Sequence, residues 1–162
     1  KTTLGLASYT EILDEKAVAS ISGKLGYIYG ISQDVEISDR FFLGGSSFIG
    51  FRNAGIGPRD KTTDDTLGGN IYYTITPQLK FGLGLPKELG IKARVFSTAG
   101  MLTSIDTNNS NYYDNSSLRV TTGAGVLWSS PFGPIRIDYS LPILKETYDK
   151  TETFSFNVGT LF

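Results

Sequence analysis

In seven separate stretches of this chain, apolar and polar side chains alternate with a period of two, the signature of a β-strand with one buried face. The clearest stretch places Ala17, Ala19, Ile21, Gly23, Leu25, Tyr27, Tyr29 and Ile31 on one parity, against Ser20, Ser22, Lys24, Gly26 and Gly30. Others set Leu67, Ile71, Tyr73, Ile75 and Leu79 against Asn70, Thr74, Gln78 and Lys80, and Ile91, Ala93 and Val95 against Lys92 and Arg94. Further along, Leu118, Val120, Ala124, Val126 and Trp128 oppose Arg119, Thr121, Gly123 and Gly125. Ile135, Ile137, Tyr139 and Leu141 then oppose Arg136, Asp138 and Ser140, and Phe154, Phe156, Val158 and Phe162 oppose Ser155, Asn157 and Gly159. The first stretch, Leu4 to Ile12, alternates less cleanly, and its apolar spacing does not follow i, i+3, i+4.

Each strand predicted this way runs to about nine to twelve residues, the length of a tilted strand that crosses a bilayer and longer than most strands of water-soluble sheets. The connections alternate in size: short at residues 14–16, 82–90 and 130–134, with a medium one at 145–151 and long ones at 31–66 and 103–117. Outer-membrane barrels have short turns on the periplasmic side and longer loops outside, and all six connections fit that scheme if the chain ends in the periplasm. Tyr27, Tyr29, Trp128 and Tyr139 lie towards the ends of the apolar parity, as in an interfacial girdle. The opposite parity carries Gly, Ser, Thr and long cations at mid-strand, which suits a wet lumen. Together these features predict an all-β fold, the C-terminal portion, about seven strands, of an antiparallel transmembrane β-barrel. Because single-chain barrels have an even strand number and an open edge is costly in hydrocarbon, the native barrel is expected to extend further at the N-terminal side.

Fifteen basic and 16 acidic side chains leave a net charge of −1, which gives no electrostatic footprint for nucleic acid. The chain has no Cys and no His, so thiolate nucleophiles, Cys-based zinc sites and the commonest general base are all missing. No catalytic residues, metal site or cofactor are predicted, and the chain is not expected to be an enzyme. Asp60, Asp64 and Asp65 lack the spacing of a calcium loop. Lys24, Lys92, Arg94, Arg119 and Arg136 are expected to line the lumen near Asp138.

The connection at 31–66 contains Arg40-Phe-Phe-Leu-Gly-Gly-Ser-Ser-Phe-Ile-Gly-Phe51 and then Ala54-Gly-Ile-Gly-Pro-Arg-Asp60. This resembles the inward-folded loop of the BamA-type outer-membrane assembly family (the bacterial surface antigen family). Gly68-Gly-Asn-Ile-Tyr-Tyr, Phe132-Gly-Pro-Ile-Arg-Ile-Asp-Tyr-Ser-Leu-Pro142 and Thr153-Phe-Ser-Phe-Asn-Val-Gly-Thr-Leu-Phe162 resemble further family segments in family order, so the likeness covers the whole chain. It implies a barrel of about sixteen strands, in which residues 1–162 are the C-terminal part, 31–66 the inward loop and 152–162 the last strand. It implies insertion of unfolded outer-membrane proteins into the bacterial outer membrane, with membrane lipid, periplasmic POTRA domains and accessory lipoproteins as partners. The binding residues implied are Gly44, Gly45, Phe48, Ile49, Gly50, Phe51, Gly57 and Pro58 in the loop, and Phe154, Phe156, Val158, Gly159 and Phe162 in the last strand as a lateral gate.

The sequence departs from the family where its Arg-Gly-Phe has Ile49 for Arg, and where the lumenal carboxylates that meet that Arg appear as Gln78 and Thr98. Losing all three removes a buried charge cluster without stranding a charge. The loop is therefore still expected to fold inward, held by Phe48, Phe51 and the backbone around Gly44, Gly45 and Gly50. Two other readings of the same residues stay open: the barrel of a related secretion transporter, and a soluble all-β binding module. A fragment ending at an open edge is expected to pair with a second copy of itself.

Overall fold

The structure, a computed structural model, describes residues 1–12, 17–107 and 110–159, with the side chain of Lys87 excepted. Seven strands form one antiparallel sheet in chain order: β1 (Thr2–Ile12), β2 (Ala17–Tyr27), β3 (Ile71–Gly82), β4 (Ile91–Thr103), β5 (Arg119–Ser130), β6 (Gly133–Leu144) and β7 (Phe154–Val158). The first six have 11 to 13 residues. The last has 5, and Gly159 ends it with φ +97°. Strands β1 and β7 each have a neighbour on one side only among the described residues.

Register decides which side chains share a face, because directly opposed residues of an antiparallel pair lie on the same side of the sheet. The pairs Ser8↔Ile21, Ala93↔Val126 and Val126↔Ile137 carry the apolar parity across the sheet. This face is open: Ile21 is 52% exposed, and Leu6, Leu25, Ile75, Val95, Val126, Ile137, Phe154 and Phe156 are exposed with it. A continuous apolar face of this extent is far larger than the scattered patches of a water-soluble monomer. It suits a hydrocarbon neighbour, and the aromatic side chains of Tyr27, Trp128 and Tyr139 are exposed on it. The other parity holds the buried residues Thr74, Arg94, Thr98, Thr121, Asp138 and Ser140. The dry apolar centre that a soluble sandwich needs on the Ile21, Val126 and Ile137 side is not there.

The alternation overruns the strands in two places. Tyr29 and Ile31 keep the parity of β2 but lie beyond its end, highly exposed, because pairing stops shortly after Tyr27 with the bond from the Ile28 N–H to Asn70 O. Leu67 precedes β3, separated from it by Gly68 at φ +67°. The last strand begins at Phe154, not residue 152, because Thr151 and Glu152 are engaged by the long loop. Residues 13–16, which include the expected first turn, and residues 160–162, which include Phe162, lie outside the described residues.

Candidate functional site

The connection between β2 and β3 packs onto the polar face of the sheet. Its Leu43, Phe48, Phe51 and Ile56 form an apolar cluster with Tyr72 of β3 and Leu102 of β4, flanked by Phe41. Phe48 and Phe51 meet edge to face, 5.4 Å between ring centroids, and Phe41 and Tyr72 do the same at 4.8 Å. Each fully buried side chain of this size stabilises the arrangement by about 1.5–3 kcal/mol. That is enough to hold a segment whose own short helical turns, Ile37–Asp39 and Gly45–Ser47, contribute little.

The glycines let the loop approach the sheet. A Cβ at Gly50 would sit 2.5 Å from Thr121 Cγ2, and φ there is +107°, so any side chain would collide with the wall and strain the backbone. Gly44 and Gly45 close a turn: Gly44 N–H donates to Ser47 Oγ at 3.1 Å, and Gly45 N–H to Phe51 O at 2.8 Å. Ile49 is buried, and Pro58, also buried, accepts from the Leu67 N–H at 2.9 Å. Gly57 lies against Leu102. Arg40 gathers the strand ends of the loop by donating to the carbonyls of Val35, Leu67 and Asp106.

A second set of contacts was not foreseen from the sequence. Arg52 N–H donates to Lys150 O at 2.9 Å, Lys150 N–H to Gly55 O at 2.9 Å and Glu152 N–H to Gly50 O at 3.0 Å. Phe51 and Thr151 form a bridge between them. The long loop is thus laced, backbone to backbone, to the segment that runs directly into Phe154. On β7 itself, Phe154, Phe156 and Val158 face outward with the apolar parity, while Gly159 N–H donates to Pro134 O at 2.9 Å. The alternating loop and strand residues therefore lie on opposite faces, joined through 150–152.

Two charge clusters stand on the polar face. In one, Asp138 receives Arg94 through Nε at 2.8 Å and Nη2 at 2.7 Å, with Arg136 Nε 3.1 Å away. Gln78, one of the positions where the resemblance expects a carboxylate, instead accepts from Arg94 Nη1 at 3.2 Å, and Thr98 meets Thr76 at 3.1 Å between hydroxyls. The other cluster corrects the expectation for Arg119, whose partner is Asp149 and not Asp138. The guanidinium donates to both Asp149 oxygens, at 2.9 and 3.1 Å, and to Ser117 O at 2.7 Å. Register explains the correction: Arg119 opens β5 at the end nearest the long loops, and Asp138 lies opposite Gly125, well down the strand. Tyr148, beside Asp149, stacks on Tyr113 at 4.9 Å, and Arg59–Asp60 pairs with Tyr112–Tyr113, so three loops are drawn together.

Asp60 and Asp64 lie in this loop cap. The backbone N–H groups of Thr63 and Thr62 hold the Asp60 carboxyl below its usual 3.8, and a hydrogen bond from Lys150 holds Asp64 below the same value. A depressed carboxyl stabilises the fold above its ordinary value, and that contribution is lost as pH falls through the depressed one. Acidification from the usual 3.8 down through the depressed values is therefore expected to release the 60–65 turn and Lys150. The measurement is amide-exchange protection: Thr62 and Thr63 should lose it while β3 to β6 keep theirs. Protection unchanged once both carboxyls are protonated would refute it.

Long strands with one lipid-compatible face, and a glycine-rich loop folded against the other face, define a segment of a membrane β-barrel with an internal loop. The Omp85 superfamily domain matches residues 1–162, and the chain belongs to that superfamily. It is 39% identical over 155 residues to the outer membrane protein assembly factor BamA of Neorickettsia risticii, covering 95% of this chain and 21% of that protein. A SAM50-like protein of Schizosaccharomyces pombe is 30% identical over 151 residues, covering 83% of this chain and 31% of that one. The crystal structure of BamA from Haemophilus ducreyi lacking POTRA domains 1–3 superposes with a TM-score of 0.81 at 22% identity, over 95% of this chain and 33% of that chain. The chain thus spans a fifth to a third of the length of these relatives.

Proposed function

We propose that this chain is the C-terminal barrel segment of an assembly factor that inserts unfolded β-barrel proteins into the outer membrane. In this reading residues 31–66 are the inward loop of the lumen, and Phe154 to Phe162 form one side of a lateral gate whose free edge templates an incoming strand. Gly44, Gly45, Phe48, Ile49, Gly50, Phe51, Gly57 and Pro58 hold the loop in place. The remaining strands of the barrel, POTRA domains, accessory lipoproteins and membrane lipid are the partners. The work is done by strand pairing and not by covalent catalysis.

The observation that carries the reading is the backbone lacing of Gly50, Arg52 and Gly55 to residues 150–152, next to a strand, Phe154–Val158, that is followed by Gly159 at φ +97°. An imperfectly paired closing strand opens at low cost, and the loop braces the point where it starts. Gly159 has open space around it but φ +97°, so Val there favours an extended backbone and lengthens the pairing with β6. By the span of β-propensity this is worth about 1 kcal/mol, roughly fivefold in an opening equilibrium. Full-length protein reconstituted in vesicles should therefore insert a radiolabelled barrel substrate severalfold more slowly as Gly159→Val than as wild type. An unchanged rate counts against gating. Expressed alone, the segment should pair edge to edge as a dimer, which sedimentation in detergent tests.

A further inference from the structure

Among the described strand residues, the short-turn half of the polar face carries more cations than carboxylates. Lys80 lies opposite Arg94, Arg94 opposite Gly125 and Gly125 opposite Asp138, a single row across four strands. The next row towards the short-turn end contains Lys92 and Arg136, both opposite Leu127. Four cations thus surround one carboxylate. Among the described strand residues, the next carboxylate by register is Glu11, opposite Val18 and so two strands beyond Lys80.

The cluster is built with care for geometry. Gly125 has no side chain in the path: a Cβ there would fall 2.0 Å from Asp138 Oδ1. That gap lets Asp138 on β6 reach over β5 to chelate Arg94 on β4 through two hydrogen bonds. Asp138 is fully buried and its oxygens are committed to Arg94. Arg136 is only 7% exposed; its Nε is ion-paired with Asp138 Oδ2 at 3.1 Å but is a buried donor without a hydrogen bond among the described residues. A buried guanidinium left in this condition is costly unless another acceptor meets it.

We propose that Arg136, Lys92 and Lys80, arranged around the Arg94–Asp138 pair, form an anion site in the lumen that takes a carboxylate of an extended polypeptide. A guanidinium fork matches a carboxylate through two parallel hydrogen bonds, and flanking ammonium groups add unselective attraction. A polypeptide is favoured over a lipid headgroup because the site lies on the face opposite Val95, Val126 and Ile137, which are exposed on the apolar side. This rests on the insertion reading above, since it makes the unfolded substrate the source of the carboxylate.

The test uses full-length protein in a non-ionic detergent and a dye-labelled ten-residue peptide bearing several Glu, with its Gln counterpart as reference. Fluorescence anisotropy should show the Glu peptide bound about tenfold tighter, the strength of one charge-assisted contact. This advantage should shrink at least threefold in both Arg136→Gln and Lys92→Gln, and survive in Lys24→Gln, which sits elsewhere on the same face. Lys92 is exposed, so its variant tests the site without threatening the fold. Inorganic phosphate should compete. Equal affinity for the two peptides overturns the proposal, as does displacement by phosphatidylglycerol micelles with no effect of phosphate, which would assign the site to lipid. Parallel insertion assays separate the two ideas: wild type that inserts substrate without discriminating the peptides loses this site and keeps its function, whereas wild type that fails to insert loses the function itself.

Discussion

Gly50→Ala is expected to lift the 31–66 loop off the polar face and abolish most of the insertion activity. Two costs coincide there. A non-glycine residue at φ +107° is strained by about 1–3 kcal/mol, and the new Cβ stands 2.5 Å from Thr121 Cγ2 and 3.3 Å from Ser140 Oγ, an overlap worth about 1–3 kcal/mol more. Their sum, about 2–6 kcal/mol, equals or exceeds the burial of Phe48 or Phe51 at about 1.5–3 kcal/mol, so the apolar cluster cannot absorb it without moving. Since Gly50 O also accepts the Glu152 N–H, displacement of the loop releases the segment before Phe154. Amide exchange on the full-length protein should show Arg52 and Glu152 losing protection together. Adding Thr121→Ser removes the colliding methyl group and should restore part of the activity, leaving the backbone strain and the tighter approaches to residue 121 Cβ at 3.1 Å and Ser140 Oγ at 3.3 Å. A Gly50→Ala protein with wild-type protection at Glu152 would show that the loop yields locally and that its tie to the last strand is not mechanical.

What could be read from the sequence follows from what the environment imposes on it. A sheet between hydrocarbon and water must sort its side chains by parity, so Ile21, Val126 and Ile137 announced their face before any pairing was known. The glycines of the loop were legible for a similar reason: Gly50 and Gly57 approach the wall too closely for a side chain. Parity, however, does not end where a strand does. Tyr29 and Ile31 continue the pattern of β2 with no partner strand beside them, because strand ends are set by backbone pairing. Pro77 runs the other way. It sits inside β3 opposite Ile21, in a position that argues against a central strand. The strand survives because the β3–β4 ladder simply omits Thr76 and Pro77 and resumes at Gln78↔Phe96 in the same register.

Charge partners were the least legible part. Arg119 and Asp149 are thirty positions apart, and their meeting depends on how far the loop after β6 returns over the sheet. The lacing through 150–152 is hidden for the same reason: backbone N–H and C=O groups carry no residue identity, so Lys150, Thr151 and Glu152 look like any solvated loop until Arg52 and Gly55 lie against them. The resemblance supplied the inward loop but could not supply this contact, since the tether it implies runs through charges at the positions that here are Ile49, Gln78 and Thr98, none of them charged. The backbone ladder and the Phe48–Phe51 cluster provide a tether that does not need those charges.

Asp149→Leu should be strongly destabilising in the loop cap, at about 3–5 kcal/mol, because it takes from the buried Arg119 guanidinium its only hydrogen-bonded carboxylate among the described residues and leaves the partly exposed Glu146 as a weaker counter-charge. Both side chains are almost wholly removed from solvent, at 1% and 0% exposure, so screening offers little relief. The remaining bonds from Arg119 go to Ser117 O and the Tyr148 hydroxyl, neither of which is charged at neutral pH. The Glu146 N–H, which donates to Asp149 Oδ2 at 2.7 Å, is orphaned at the same time. Replacing both partners, as Arg119→Met with Asp149→Leu, removes the stranded charge and should recover most of the loss, since apolar packing of similar volume often equals a buried ion pair. Urea unfolding of the full-length protein in detergent, analysed as a double-mutant cycle, reads the coupling directly. A large single loss with recovery in the double variant identifies the pair as the clamp that holds the 145–153 loop, and through Lys150 the long loop, over the sheet. A single variant within 1 kcal/mol of wild type would mean that water reaches Arg119, and that the clamp is the stack of Tyr113 on Tyr148 instead.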